Sequence, residues 1–416
     1  MSGRATGLLS GRRILKQWNR LHQFKNFEAA ASAAGATSKQ SHLGRSLRTA
    51  PHHAPIDGHG RPGAGGARKA ALVWFRGDLR LHDNEALSKA NSECTSLLPV
   101  YCFDPRDYQK SPQGYDRTGP YRASFLLEAV ADLRARLRRA GSELVVRLGR
   151  PEEVLPALAR RLGAAAVFCH SEVTFEGRQV EARVKAGLEG EGSQLCTLWA
   201  NTLHHPQDLP FKLQDMPQTF DQFRHRAAGV VARAALGAPQ QLKGLPLGGR
   251  IDPGEIPSLK QLGLTPPPQT SADAKPTGGE SEALKQLQTF LAQAHGGTSP
   301  GSPADGSGSG TGRLRSGAMQ GSSFANNIAP WLAAGCLSPR HMQQEAQRLL
   351  AGAGGGQLAQ RGKQGGGSVA ATGDPLAWIN FELLWRDFFR WITLKYTEAS
   401  LSAGGKAKAA PALAAA

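Results

Sequence analysis

From Ala71 onward, short and continuously apolar runs alternate with longer amphipathic stretches, and this alternation limits the fold more than any other feature of the chain. The runs ALVWF (71–75), SLLPVYCF (96–103), ELVVRLG (143–149), AAAVFCH (164–170) and QLCTLWA (194–200) lack polar alternation, so each suits a strand covered on both faces. A helix is predicted at about 120–140, with Phe125, Leu126, Ala129, Val130, Leu133 and Leu137 along one face and Gly141 just past its basic last turn. Another opens at Pro151, where Glu152 and Glu153 complement the N-terminal dipole. Strands and helices alternating at this spacing predict a Rossmann-like, parallel, five-stranded α/β domain over 71–205.

Such sheets bind ligands at the carboxyl ends of their strands. No GxGxxG follows the first strand and no GxxxxGK[ST] occurs anywhere, which argues against a dinucleotide dehydrogenase or a P-loop enzyme. The first strand runs instead into Arg76-Gly77-Asp78-Leu79-Arg80-Leu81-His82-Asp83-Asn84, a charged loop leading to a helix that Asp83 or Asn84 can cap. Taken alone, that loop reads equally well as a salt-bridged turn. The five cysteines, Cys94, Cys102, Cys169, Cys196 and Cys336, have no CxxC spacing or histidines in ligand register, so neither a disulfide framework nor a metal site is expected. No apolar run approaches the roughly 18 residues of a membrane span.

The formal charge of +17 is unevenly distributed. Residues 1–70 carry twelve Lys and Arg against Glu28 and Asp57, a net +10 that leaves +7 for the rest. Arg12, Arg13, Ile14, Leu15, Lys16, Trp18, Arg20, Leu21 and Phe24 suit a basic amphipathic helix, and an Arg-rich, acid-poor start describes a transit peptide to a chloroplast or mitochondrion. Residues 51–70 follow as a Gly- and Pro-rich disordered joint. The alternative is a basic arm that touches DNA or RNA.

Trp74-Phe75-Arg76-Gly77-Asp78-Leu79-Arg80 with Asp83-Asn84, then Phe103-Asp104-Pro105-Arg106, resembles the amino-terminal domain of the photolyase/cryptochrome family. Thr118-Gly119, Arg122 and Arg134, then Leu209-Pro210-Phe211, Met216-Pro217 and Gln222-Phe223-Arg224, are similar to cryptochrome DASH proteins. Gly278-Gly279-Glu280, Pro330-Trp331-Leu332-Ala333, Gly335-Cys336-Leu337-Ser338-Pro339-Arg340 and Phe381-Glu382-Leu383-Leu384-Trp385-Arg386-Asp387-Phe388-Phe389-Arg390 extend the likeness over about 71–396. The resemblance implies an antenna domain at 71–205, a linker at 206–280, a partial all-α FAD-binding domain at 281–398 and a disordered tail at 399–416. It further implies FAD, a 5,10-methenyltetrahydrofolate antenna contacted by Glu172, and light-driven repair of cyclobutane pyrimidine dimers, or blue-light reception, by a monomer acting mainly on single-stranded DNA.

Within 376–398, Glu382, Trp385, Arg386 and Phe389 fall at i, i+3, i+4 and i+7 on one helix face. On residue types alone this is a core helix with a routine Glu382–Arg386 pair. The resemblance instead assigns Trp385 to stacking on an extruded base, Glu382 to its hydrogen-bonding edge and Arg386 to phosphate or flavin. Three departures stand against it. Where the family's flavin-phosphate loop offers a tyrosine and a hydroxyl-rich run, this chain has Ser322, Ser323, Asn326 and Asn327 before Pro330-Trp331. Gly/Ser-rich inserts interrupt the region at 295–322 and 351–374. After Tyr396 the sequence is TEASLSAGGKAKAAPALAAA, where the family continues through most of its helical domain. A non-catalytic antenna or nucleotide-binding α/β module is therefore an alternative to the enzyme.

Overall fold

The computed structural model describes residues 68–112, 114–266, 276–294, 324, 327–352 and 375–402. The leader, most of both Gly/Ser-rich inserts, Ser322, Ser323, Asn326 and nearly all of the tail lie outside the described residues. Ala67–Lys395 forms one compact unit, and the described part of the second unit is residues 396–402 at the end of the last helix.

Five strands, β1 (Arg68–Phe75), β2 (Cys94–Phe103), β3 (Val145–Leu148), β4 (Ala166–His170) and β5 (Gln194–Leu198), form one sheet in the order β3-β2-β1-β4-β5. Every pairing is parallel, and the register runs Leu72↔Leu98, Leu72↔Val167, Val100↔Val145 and Phe168↔Cys196. The sheet is connected by α1 (Glu85–Glu93), α2 (Pro120–Arg139), α3 (Pro151–Leu162) and α4 (Phe175–Gly190). Strand β1 shows why its sequence is apolar throughout. Ala71, Val73 and Phe75 join one core with Leu87, Val130, Leu133 and Leu137, while Leu72 and Trp74 face the other with Leu155, Leu162, Val184 and Leu188.

Local chemistry sets the element ends. Asn84 caps α1 by accepting from the Leu87 amide at 3.0 Å, and Thr174 caps α4 through Gly177 at 3.2 Å. Helix α3 starts on Pro151 and stops at Gly163, whose φ of 57° is the left-handed conformation that glycine tolerates. Strand β3 begins at Val145, and the carbonyl of the preceding Leu144 accepts from the Arg134 guanidinium at 3.0 Å.

Beyond the sheet lie α5 (Phe220–Arg226), α6 (Glu280–Ala294), α7 (Ala329–Ala334), α8 (Pro339–Gly352) and α9 (Pro375–Ser402). Ile379, Leu383, Phe388, Trp391, Ile392 and Leu394 of α9 are buried, and its neighbours include Phe220 and Phe223 of α5. All five cysteines are free thiols. Among the described residues no helix is long and apolar enough to cross a membrane, and no cluster of potential metal ligands occurs.

Candidate functional site

The sheet order reverses between β1 and β4, which opens a crevice at their carboxyl ends where folds of this type hold ligands. Here the crevice is occupied by the protein's own ion pairs. Arg76 stacks over Trp74 at 4.2 Å, donates to Glu181 at 2.8 Å and also donates to the His170 carbonyl. Asp78 accepts from the Arg76 amide and from Nδ1 of His170, both at 2.7 Å, while Nε2 of His170 accepts from the Ala86 amide at 3.2 Å. Those two bonds fix the His170 tautomer, with its proton on Nδ1. Burial alone would raise the Asp78 pKa, but the His170 bond and the Arg76 amide more than offset it and hold it below the ordinary carboxylate range. Glu172 sits at the rim, its amide donating to Glu181 at 2.7 Å and its charge acting on Arg76 and Arg390.

The rest of the Arg76–Asn84 loop fastens the helical segment to the sheet. Arg80 is fully buried and donates to Asn201 Oδ1 at 2.7 Å, the Gly335 carbonyl at 2.9 Å and the Asp83 carbonyl at 3.1 Å. His82 donates from Nδ1 to Glu280 at 2.6 Å and accepts at Nε2 from the Ser338 amide at 3.2 Å. Glu280 also accepts from the Leu81 amide at 2.7 Å and lies 2.8 Å from Arg136. Asp83, in a left-handed conformation with φ of 47°, takes a two-toothed bond from Arg340 at 2.7 and 2.9 Å and one from the Ser338 hydroxyl. Gly335 approaches so closely that a Cβ there would sit 2.0 Å from the Gly77 carbonyl oxygen. The charged loop is thus a salt-bridged turn whose partners are distant in sequence, from His170 and Glu181 to Asn201, Glu280 and Arg340.

Helix α9 carries the three residues singled out from sequence. Trp385 meets the edge of Phe220 at 4.6 Å and Phe389 at 5.2 Å between ring centroids, and lies near-parallel to Phe381 at 6.2 Å. Arg386 is not paired with Glu382. It donates to the Leu332 carbonyl at 3.1 Å and to the Asn201 carbonyl, and burial pushes its pKa down to about 9. Glu382 is left without a hydrogen bond or ion pair among the described residues, and burial alone pushes its pKa up to about 7. The adjacent Asp387 accepts from the Leu203 amide at 2.9 Å and the His204 amide at 3.1 Å, anchoring the helix to the loop after β5. Its pKa is also pushed up to about 7 by burial.

Glu382, Trp385 and Arg386 therefore share one stretch of α9, while Glu172 faces a later turn of the helix through Arg390. Asn327 lies in the turn before α7. Sequence reasoning missed Asn201, His170, Glu181 and Asp387. For Asp387 the acid between Arg386 and two phenylalanines was a usable signal, whereas Asn201, at φ of 65° in a loop, offered none.

Fold and site together define a parallel α/β domain clamped to a helical segment that bears a half-buried, unanswered carboxyl beside an indole. Residues 71–240 match the DNA photolyase family model. The chain is 44% identical over 338 residues to the blue-light photoreceptor PHR2 of Arabidopsis thaliana, covering 81% of this chain and 72% of that protein. It is 34% identical over 343 residues to cryptochrome DASH, chloroplastic/mitochondrial, of the same plant, covering 80% of this chain and 54% of that one. The crystal structure of a Synechocystis cryptochrome superposes with a TM-score of 0.64 at 32% identity, over 82% of this chain and 65% of that one. The chain belongs to the photolyase/cryptochrome family, and spans little more than half the length of the DASH relative from Arabidopsis.

Proposed function

We propose that this chain is a blue-light flavoprotein of photolyase type, holding a cyclobutane pyrimidine dimer, mainly in single-stranded DNA, against Trp385 and Glu382 beside FAD. The observation that carries this is the Glu382 carboxyl. A half-buried carboxyl without a protein partner is poorly solvated in its ionised form, and a ligand that hydrogen-bonds to it answers that cost. With its pKa near 7 the group is protonated in about half of the molecules at neutral pH, and in that form its O–H donates to a pyrimidine carbonyl that an ionised carboxylate would repel. Trp385, half-buried among Phe220, Phe381 and Phe389, offers an indole to a base already out of the stack. A single strand spares the few kcal/mol that extrusion from a duplex costs.

The same unanswered carboxyl fits a flavin, whose ring N–H and carbonyl groups need protein partners. Arg386 spends two donor nitrogens on the Asn201 and Leu332 carbonyls, so in this proposal it fixes α9 and turns only its remaining N–H capacity to the cofactor. Ser322, Ser323, Asn326 and Asn327 would take the flavin phosphates through hydroxyl, amide and backbone donors. When bound, reduced FAD supplies the light-driven electron that opens the cyclobutane ring. Glu172, at the crevice rim between Arg76 and Arg390, would contact a 5,10-methenyltetrahydrofolate antenna. The leader would direct the protein to a chloroplast or mitochondrion, in keeping with the DASH relative's name.

Dark-handled protein titrated with FAD tests this reading directly. Saturable binding that quenches flavin emission is expected. No binding in the full chain would refute the flavoprotein, and bound folate without flavin would leave the antenna module.

A further inference from the structure

Helix α5 has two faces of opposite character. Phe220 and Phe223 are buried, with Phe220 in edge contact with Trp385 at 4.6 Å. Asp221, Gln222, His225 and Arg226 point outward and, with Pro217, line an open pocket of about 450 Å³. Arg226 is held without a carboxylate. Its guanidinium lies over the Phe211 ring at 4.7 Å and gives one N–H to the Asp215 carbonyl at 3.2 Å, leaving its other donors toward solvent. Lys395 of α9 donates to the Met216 carbonyl at 3.1 Å, which puts a second cation without an acidic partner beside Pro217. The acid in the pocket, Asp221, is 3.7 Å from Arg224 and partly neutralised by it.

We infer that this pocket is a phosphate subsite for the strand that flanks the base stacked on Trp385, with Arg226 as its principal contact. The inference rests on the single-stranded DNA reading above and assigns the backbone contact that reading lacks. Phe220 joins the two sites: one side of a single short helix carries the ring that supports the indole, and the other carries the cation. The helix is about 10–12 Å across with its side chains, so a stacked strand leaving Trp385 reaches the pocket within about three or four nucleotides at ~3.4 Å per phosphate. A fixed guanidinium beside aromatic rings is the combination that single-strand grooves use, one part tracking phosphate and the other stacking bases. Because Arg226 is already oriented by Phe211, binding spends little side-chain freedom.

The test is fluorescence anisotropy of a labelled oligodeoxythymidylate with the full chain at several salt concentrations, comparing wild type with Arg226→Ala, Arg226→Lys and Trp385→Ala. Arg226→Ala should weaken binding roughly five-fold at low salt and reduce the slope of log K against log salt by about 0.7, one single-strand phosphate contact, while Arg226→Lys restores the slope. Trp385→Ala should weaken binding without changing the slope. If Trp385→Ala weakens binding while Arg226→Ala leaves both affinity and slope unchanged, the subsite is wrong and the stacking site survives. Failure of the wild type to bind the oligonucleotide, or binding confined to an RNA of equal length, overturns both. Arg226 is exposed, and an unchanged melting temperature excludes unfolding as the cause of any loss.

Discussion

Replacing Glu382 with glutamine should make the protein more stable at pH 8 and leave it unchanged near pH 4.5. The side chain is half-buried, and its pKa rises from an ordinary 4.5 to about 7 through desolvation with no compensating bond. Keeping the carboxylate ionised in that place costs about 3 kcal/mol at ~1.4 kcal/mol per pH unit. The sign follows from proton binding: the folded state holds this proton to higher pH than the unfolded chain does. Its contribution to stability is therefore fully present below about pH 4.5 and lost as pH rises through about 7. Glutamine keeps the shape and cannot ionise, so Glu382→Gln removes that loss. Urea unfolding of both proteins at intervals from pH 5 to 8 gives the difference directly, and Asp387, whose pKa is raised in the same direction, cancels in the subtraction. Parallel pH profiles for the two proteins would mean that Glu382 is solvated or partnered, and the reasoning from an unanswered carboxyl would fail.

Gly335→Ala should cost more than about 2 kcal/mol in thermal unfolding, because φ is 70° and the added Cβ would meet the Gly77 carbonyl carbon and oxygen. Arg80→Lys should cost roughly 2–3 kcal/mol, since one ammonium replaces a guanidinium that serves three separate acceptors, and urea titration reads that loss. Asp78, Asp83 and Glu280 all have depressed pKa values, as burial is outweighed by the His170, Arg340 and His82 contacts respectively. Their stabilisation is present above the unfolded values near 4 and is lost as pH falls through the folded ones, so near-UV circular dichroism should collapse on acidification, and Asp83→Asn should show a shallower acid transition from a lower starting stability.

The strands were legible because their runs are apolar throughout, and Leu72 and Trp74 against Val73 and Phe75 show what that pattern buries, whereas β5 at the sheet edge is not covered on both faces as expected and is only half-buried. Their spatial order was not, since nothing local in the chain says that β4 lies beside β1 rather than at an edge. The grouping of Glu382, Trp385 and Arg386 followed from helical periodicity. Their partners did not. A Glu and an Arg at i and i+4 predict a pair, but Arg386 turns to the Asn201 carbonyl 185 residues away and leaves Glu382 alone. The loop after β1 has the same lesson. Its charges suggested a local turn, and most of their partners are Asn201, Gly335, Glu280 and Arg340, which only the tertiary fold brings near.

Light-driven repair decides the central claim most directly. Protein loaded with FAD and reduced is mixed with a single-stranded oligonucleotide carrying one thymine dimer, and dimer loss is followed under blue light and in the dark. Light-dependent repair by the wild type, at least tenfold slower in Trp385→Ala and Glu382→Ala with flavin still bound, is the predicted result. Repair that is unaffected by either substitution, or a flavin-loaded wild type that leaves the dimer intact, would contradict the assignment of catalysis to this face of α9.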